Sequence, residues 1–205
     1  MKTQFLQHGS IENIEQEMKT MYLFFKVETT GLPINYQAPV SDTNNWPRLV
    51  KLCWTLSDET GWRIDSKSII IKPIGYTIPM GSVAIHGITT EQALEEGGDL
   101  VEVLHQFNNL IDEADFIVSH NVEFGKKILL AEFYRNSIRT NLSNKPSIDI
   151  MKASTDYLKL SGPLGFKFPK LSELYSHLFA QPFDEVDGIT AIEQCFWEMK
   201  QLQII

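Results

Sequence analysis

The chain has 205 residues, 43% of them apolar and 21% charged, which fits one globular domain with a real core and excludes a disordered chain. No apolar run approaches the roughly 18 residues of a membrane span, residues 1–10 lack the apolar stretch of a secretory signal, and two cysteines, Cys53 and Cys195, make no disulfide framework, so a cytoplasmic setting without membrane attachment is the expectation. The net charge of −8 argues against coating nucleic acid by charge alone, yet residues 121–170 carry 9 Lys/Arg against 4 Asp/Glu, a basic segment that reads either as a solvated lysine face or as a phosphate-contacting surface.

Residues 1–20 read as an N-terminal extension with a short helix: Ser10 can cap it, and Ile11, Ile14 and Met18 fall at helical spacing. The domain proper is expected over 21–205. Its first element, Tyr22-Leu-Phe-Phe-Lys-Val27, is an apolar run with one charge that ends in Glu28-Thr-Thr-Gly-Leu-Pro33, a buried strand leading into a Gly/Pro turn. A long loop over 34–47 follows, then strands over Leu49–Leu56 and Trp62–Lys72, joined by Asp58-Glu-Thr-Gly61: a three-strand meander. From Thr90 the period changes. Helices are predicted over 90–96 and 100–114, where Leu100, Val103, Leu104, Phe107, Leu110 and Ile111 form one stripe. A short strand at 116–118 and a helix over 123–136, with Phe124, Ile128, Leu129, Glu132 and Phe133 along its core edge, come next. Residues 141–147 read as a polar connection, 149–160 as helical, 162–165 as a loop, and 169–179 and 189–203 as closing helices. A meander followed by alternating strands and helices predicts an α/β domain with a mixed central sheet flanked by helices.

Three segments carry candidate chemistry. Phe24-Phe-Lys-Val-Glu-Thr-Thr-Gly-Leu-Pro33 ends a central strand; Val83-Ala-Ile-His-Gly-Ile-Thr-Thr90 precedes a helix; Ile117-Val-Ser-His-Asn-Val-Glu-Phe-Gly125 runs from a strand into a helix. Each alone is weak, because a capped turn explains a His-Gly as well as a site does. Phosphate-cradling loops, zinc-protease and nucleophile-elbow motifs are absent from the sequence, and His86, His105, His120 and His177 are too scattered to indicate a zinc site.

In this order and spacing, the three segments resemble the DnaQ-like family of 3′–5′ exonucleases, the DEDD group of the ribonuclease H-like superfamily, whose familiar member is the proofreading subunit of a bacterial replicative polymerase, DNA polymerase III epsilon. The resemblance runs from about Met21 to Lys200, and Pro169-Lys-Leu-Ser-Glu-Leu-Tyr175 and Cys195-Phe196 are similar to a bacterial subgroup. The family pattern is D-x-E-T-T-G, H-G-I, H-N-x-x-F-D and a final H-x-x-x-x-D. It implies a ribonuclease H-like fold and two Mg²⁺ or Mn²⁺ ions held by four carboxylates, with a histidine as general base. At those positions this chain has Lys26 for the first Asp, Glu28 for the Glu, and Gly125 for the Asp of the third motif. A shortened last motif places the final Asp on Gly188, beside Asp187, and residues 183–195 contain no His.

Replacing Asp by Lys changes the local charge by +2, and each unit of repulsion at about 4 Å costs roughly 4 kcal/mol at an effective dielectric of about 20. No metal is therefore predicted; if one binds, Glu28 is its ligand. The strand's period of two sets Lys26 and Glu28 on one side, so an ion pair between them is expected. What the resemblance leaves for nucleic-acid binding is Thr29, Thr30, Gly31 and Leu32 after the Glu, His86, Gly87 and Ile88 of the H-G-I segment, and His120 and Asn121, which also orient their turn. Gly31 has the simpler reading of a positive φ, and His86 that of a satisfied turn histidine. Phe166, Lys167, Phe168 and Lys170 interleave rings and charges as single-strand binders do, although rings at this spacing are ordinarily core. The function expected is a catalytically impaired exonuclease homologue that binds a single-stranded 3′ end or a protein partner. The alternatives are a weak nuclease with Asp184, Glu185 or Asp187 as substitute ligands, and a protein-interaction module docking through residues 1–20 and the acidic C-terminal helix.

Overall fold

The computed structural model describes residues 19–163, 165–183 and 187–205; the helix expected within residues 1–18 lies outside them. Five strands, β1 (Met21–Thr29), β2 (Leu49–Asp58), β3 (Arg63–Ile70), β4 (Phe116–Ser119) and β5 (Ser147–Asp149), form one sheet of order β3-β2-β1-β4-β5. β1, β2 and β3 pair antiparallel, whereas β4 pairs parallel to both β1 and β5. The mixed sheet and the meander are those the sequence predicts.

The alternation of β1 distributes its side chains between two cores. Leu23 and Phe25 face the helices α3 (Leu100–Glu113) and α4 (Val122–Arg135), packing with Trp54, Phe107, Ile128 and Leu129. Tyr22 and Phe24 face α7 (Leu171–Phe179) and α8 (Gly188–Gln201), packing with Val118, Leu174, Ile192 and Phe196. Each of these large side chains contributes roughly 1.5–3 kcal/mol by leaving water. The apolar pattern stops at Lys26 and Glu28, which share the face of Phe24 and so point toward the start of α8.

Four stretches depart from the sequence reading. Residues 80–86 form a helix, α1 (Met80–His86), ahead of α2 (Thr90–Glu96), so the His-Gly ends one helix as well as preceding another. β5 begins at the last residue of the stretch read as polar and runs into the start of the expected 149–160 helix, because after Pro146 the chain pairs with β4. The helix expected over 149–160 is split into α5 (Ile150–Ala153) and α6 (Thr155–Leu158) at Ser154, whose hydroxyl donates back to the Ile150 carbonyl. The predicted loop over 162–165 is the tip of a hairpin between β6 (Ser161–Gly162) and β7 (Gly165–Phe166). Among the described residues no helix is long and apolar enough to cross a membrane.

The long loop between β1 and β2 is fixed by charge. Glu132 of α4 is fully buried and accepts from Arg48 Nε at 2.9 Å, the Leu49 amide at 3.0 Å and Arg135 at 3.0 Å. Arg135 in turn donates to the carbonyls of Thr43 and Trp46, both at 2.5 Å, and Asn35 and Asn45 bond one another across the loop. Glu132→Ala is expected to lower the unfolding free energy by about 3 kcal/mol or more, since two guanidinium groups lose their buried counter-charge. Lys152→Ala breaks an exposed pair with Glu123 and is expected to cost under about 1 kcal/mol. Urea midpoints at unchanged slope read the difference.

Candidate functional site

The end of β1 carries the site. Lys26 Nζ donates to Glu28 Oε1, the pairing the strand period brings about. Their partners on β2 are Cys53 and Lys51. Above them stands the first turn of α8. A Cβ on Gly188 would lie 2.5 Å from Lys26 Cε and 2.7 Å from Cδ, so the glycine makes room for the lysine stem. Beside it, Asp187 caps α8, Oδ1 accepting from the amides of Ile189 and Thr190 at 3.1 Å. Burial works to raise this carboxyl's pKa, and the bonds from Thr190 and Ile189 outweigh it, leaving the group below the usual carboxylate range.

The β4–α4 turn forms the opposite wall. Ser119 Oγ donates to the Phe25 carbonyl at 2.8 Å, and His120 Nε2 bonds the Pro169 carbonyl at 2.9 Å. Asn121 adopts the left-handed conformation, with φ 64°. The turn is held by Asp149 at the end of β5, whose carboxylate accepts from the amides of Asn121 at 3.0 Å, Val122 at 3.2 Å and Met151 at 3.1 Å. One turn into α4, a Cβ on Gly125 would meet the Phe25 ring at 2.6 and 3.0 Å. The space beside Gly125 is thus filled by the Phe25 ring.

Two cavities meet at the Lys26–Glu28 pair. One, of about 380 Å³, lies toward β3 and is lined by Lys26, Glu28, Lys51, Ser68, Asp187 and Gly188 among others. The second, of about 240 Å³, lies toward α4 and is lined by Lys26, Glu28, His120, Asn121, Gly125 and Leu171 among others. The structure therefore brings together Lys26, Glu28, Gly125, His120, Asn121, Asp187 and Gly188. The other candidates line neither cavity. Thr29 Oγ1 donates to the Gly31 carbonyl at 2.7 Å, and Thr30 Oγ1 accepts from the Arg48 amide at 2.9 Å. Gly31 has φ 151° and open space where a Cβ would stand, so its role in the structure is conformational. Leu32 is 72% exposed at the strand's exit. His86 Nδ1 accepts from the Ile88 amide at 3.1 Å, which closes the turn at Gly87. Ile88 itself is 6% exposed and packs with Val50, Ile78 and Ala93, so its side chain serves the core and offers almost no surface for direct contact. Phe166 and Phe168, given the core as their ordinary place, are instead exposed.

Sequence reasoning missed Lys51, Phe25 and Asp149. An Asp before a helical run is an N-cap signal that could have singled out Asp149; the other two depend on register and tertiary contact.

A pair of divalent ions needs several carboxylate oxygens. Among the described residues the site offers Glu28, which holds the Lys26 ammonium, and Asp187, which caps α8, and no group of three or more His, Cys, Asp or Glu is placed to hold a metal. Asp184 and Glu185 lie outside the described residues. The residues described do not fit the Mg²⁺ or Mn²⁺ pair of the family.

No protein-family model matches the sequence, and neither does any curated protein. Solved structures do match. Exonuclease I in complex with an inhibitor is similar over 91% of this chain and 42% of its own, with a TM-score of 0.71 and 19% identity. A product-bound exonuclease I is similar over 91% and 45%, with a TM-score of 0.68 and 18% identity, and E. coli exonuclease I in complex with a dA16 oligonucleotide over 91% and 42%, with a TM-score of 0.71 and 18% identity. The fold is the ribonuclease H-like fold of these exonucleases, and the chain spans less than half the length of each.

The close contacts predict asymmetric tolerance. Gly125→Ala is expected to destabilise by about 1–2 kcal/mol, overpacking against a fully buried ring despite the ~1 kcal/mol helix-propensity gain of Ala. Gly188→Ala meets only a flexible lysine stem and is expected to cost less; urea unfolding of both variants checks the order.

His120 adds a pH dependence. Burial pushes its pKa below the ordinary 6.5, partly offset by the Pro169 bond and by Asp149. The unfolded chain then binds more protons than the folded one below about pH 6.5, so stability should fall as pH drops through that value and level off below the lowered folded pKa. His120→Gln is expected to flatten this slope in denaturation curves between pH 7.5 and about 5.

Proposed function

We propose that this chain is a catalytically impaired homologue of the DnaQ-like, DNA polymerase III epsilon-like 3′–5′ exonucleases, and that it retains a cleft for the 3′ end of single-stranded nucleic acid. The observation that carries this reading is the Lys26–Glu28 ion pair seated over Gly188. An ammonium takes the place of a ligand carboxylate, neutralises the remaining Glu28 and occupies the room of another. Two divalent ions brought to this spot find Glu28 already engaged by Lys26 and too few other carboxylates to hold them, whereas a phosphate meets the ammonium groups of Lys51 and Lys67 on the β3 side. The cavity toward α4 supplies the polar groups for a nucleotide end: His120, Asn121 and the Lys26–Glu28 pair. Exonuclease I, whose fold this chain shares, is solved with oligonucleotides bound, which supports single strands as the ligand class. Free thiols at Cys53 and Cys195 agree with a cytoplasmic setting.

The test uses a labelled single strand with a free 3′ end. Binding is expected in the presence of a chelator, weakening as salt rises, with no release of nucleotides when Mg²⁺ or Mn²⁺ is added. Metal-dependent release that Glu28→Gln abolishes would establish a nuclease and overturn the proposal. Lys26→Asp is expected not to restore cleavage, since Gly125 and Gly188 still lack carboxylates.

A further inference from the structure

The geometry points to a second contact region for the same ligand: we infer that the β6–β7 hairpin and the residues running from it into α7 form a track for single-stranded nucleic acid, with Phe166 and Phe168 as stacking rings. This inference rests on the cleft reading above and extends it outward. Phe166 and Phe168 are 52% and 57% exposed, and neither ring packs on another aromatic ring among the described residues, whereas Tyr175, Phe179 and Phe183 nearby in sequence do. The Lys167 amide donates to the Leu160 carbonyl at 2.9 Å, so the extended pairing runs past β7. The two phenylalanines therefore fall on one side and Lys167 on the other, where it pairs with Glu173 at 2.5 Å. At about 3.3 Å per residue the two rings are spaced by about 6.6 Å, close to twice the ~3.4 Å rise of stacked bases, a gap that accepts one base.

Position and charge connect this pair of rings to the cleft. Pro169, next to Phe168, is the residue whose carbonyl bonds His120, and Leu171 lines the cavity that His120 lines. A strand leaving that cavity past His120 meets Phe168 first. The flanking charge has the sign a phosphate backbone requires: residues 150–170 contain Lys152, Lys159, Lys167 and Lys170 against Asp156 alone, and Lys159 and Lys170 are exposed without an ion pair among the described residues. In a chain of net charge −8, a basic run beside unburied rings is complementary to a single strand and not to a basic peptide.

Fluorescence polarisation of the full chain, in chelator, with oligothymidylates and oligouridylates of about four and about twelve nucleotides tests this; the two series distinguish DNA from RNA as the ligand. The double variant Phe166→Ala/Phe168→Ala is expected to bind the longer strands about tenfold or more weakly and the shorter ones as before. Lys159→Gln/Lys170→Gln, which leaves the rings in place, is expected to reduce the slope of log affinity against log salt by about 1.4 for the longer strands. Unchanged affinity of the ring variant for the longer strands, or an equal loss at both lengths, overturns the track; binding of the short strands then still supports the cleft. Binding of long strands alone, lost in the ring variant, upholds the track and overturns the cleft. A chain that binds neither length overturns both.

Discussion

Two residues apart on the central strand of a sheet, an ammonium and a carboxylate have nowhere to go but toward each other. β1 fixes their side of the sheet by its pleat, and the pairing of Lys26 with Cys53 and of Glu28 with Lys51 on β2 fixes their position. The rest of the site follows from this bridge. It cancels the charge of Glu28 at the strand's end, and its lysine stem takes up the space under the start of α8. It also closes the floor of the cleft, which would otherwise leave a carboxylate facing an unfilled space. A half-buried pair of this kind adds little to stability, and its importance lies in what it excludes.

The residues around the bridge compensate one another in volume. The chain has glycine at 125 and 188, and in both places a large side chain from β1 comes within contact distance of where a Cβ would stand: the Phe25 ring at the first, the Lys26 stem at the second. Protein interiors tolerate little empty space, so two small residues on α4 and α8 and two large ones on β1 form matched pairs although they are distant in sequence. The fold that these contacts belong to superimposes on exonuclease I with a TM-score of 0.71 at 19% identity.

Much of the architecture is legible from hydrophobic period. β1 and β2 are apolar runs, α3 carries its stripe of Val103, Leu104, Phe107 and Ile111, and the helix over 122–135 is read to within a residue. The missed elements lack that signal. α1 has Ser82 as its single buried residue, so no stripe marks it. β5 is three residues long and exists because β4 offers a partner. The hairpin at 161–166 depends on pairing across its own tip. In the site, the Lys26–Glu28 bridge could be anticipated because it is local to one strand. Asp149 reaching the Asn121 amide, Phe25 filling the place beside Gly125 and the exposure of Phe166 and Phe168 are tertiary facts, and composition does not distinguish a ring beside lysines in a core from one in water.

Lys26 and Glu28 are among the lining residues of both cavities. One ammonium thus faces two compartments, and an anion in either would compete with Glu28 for it.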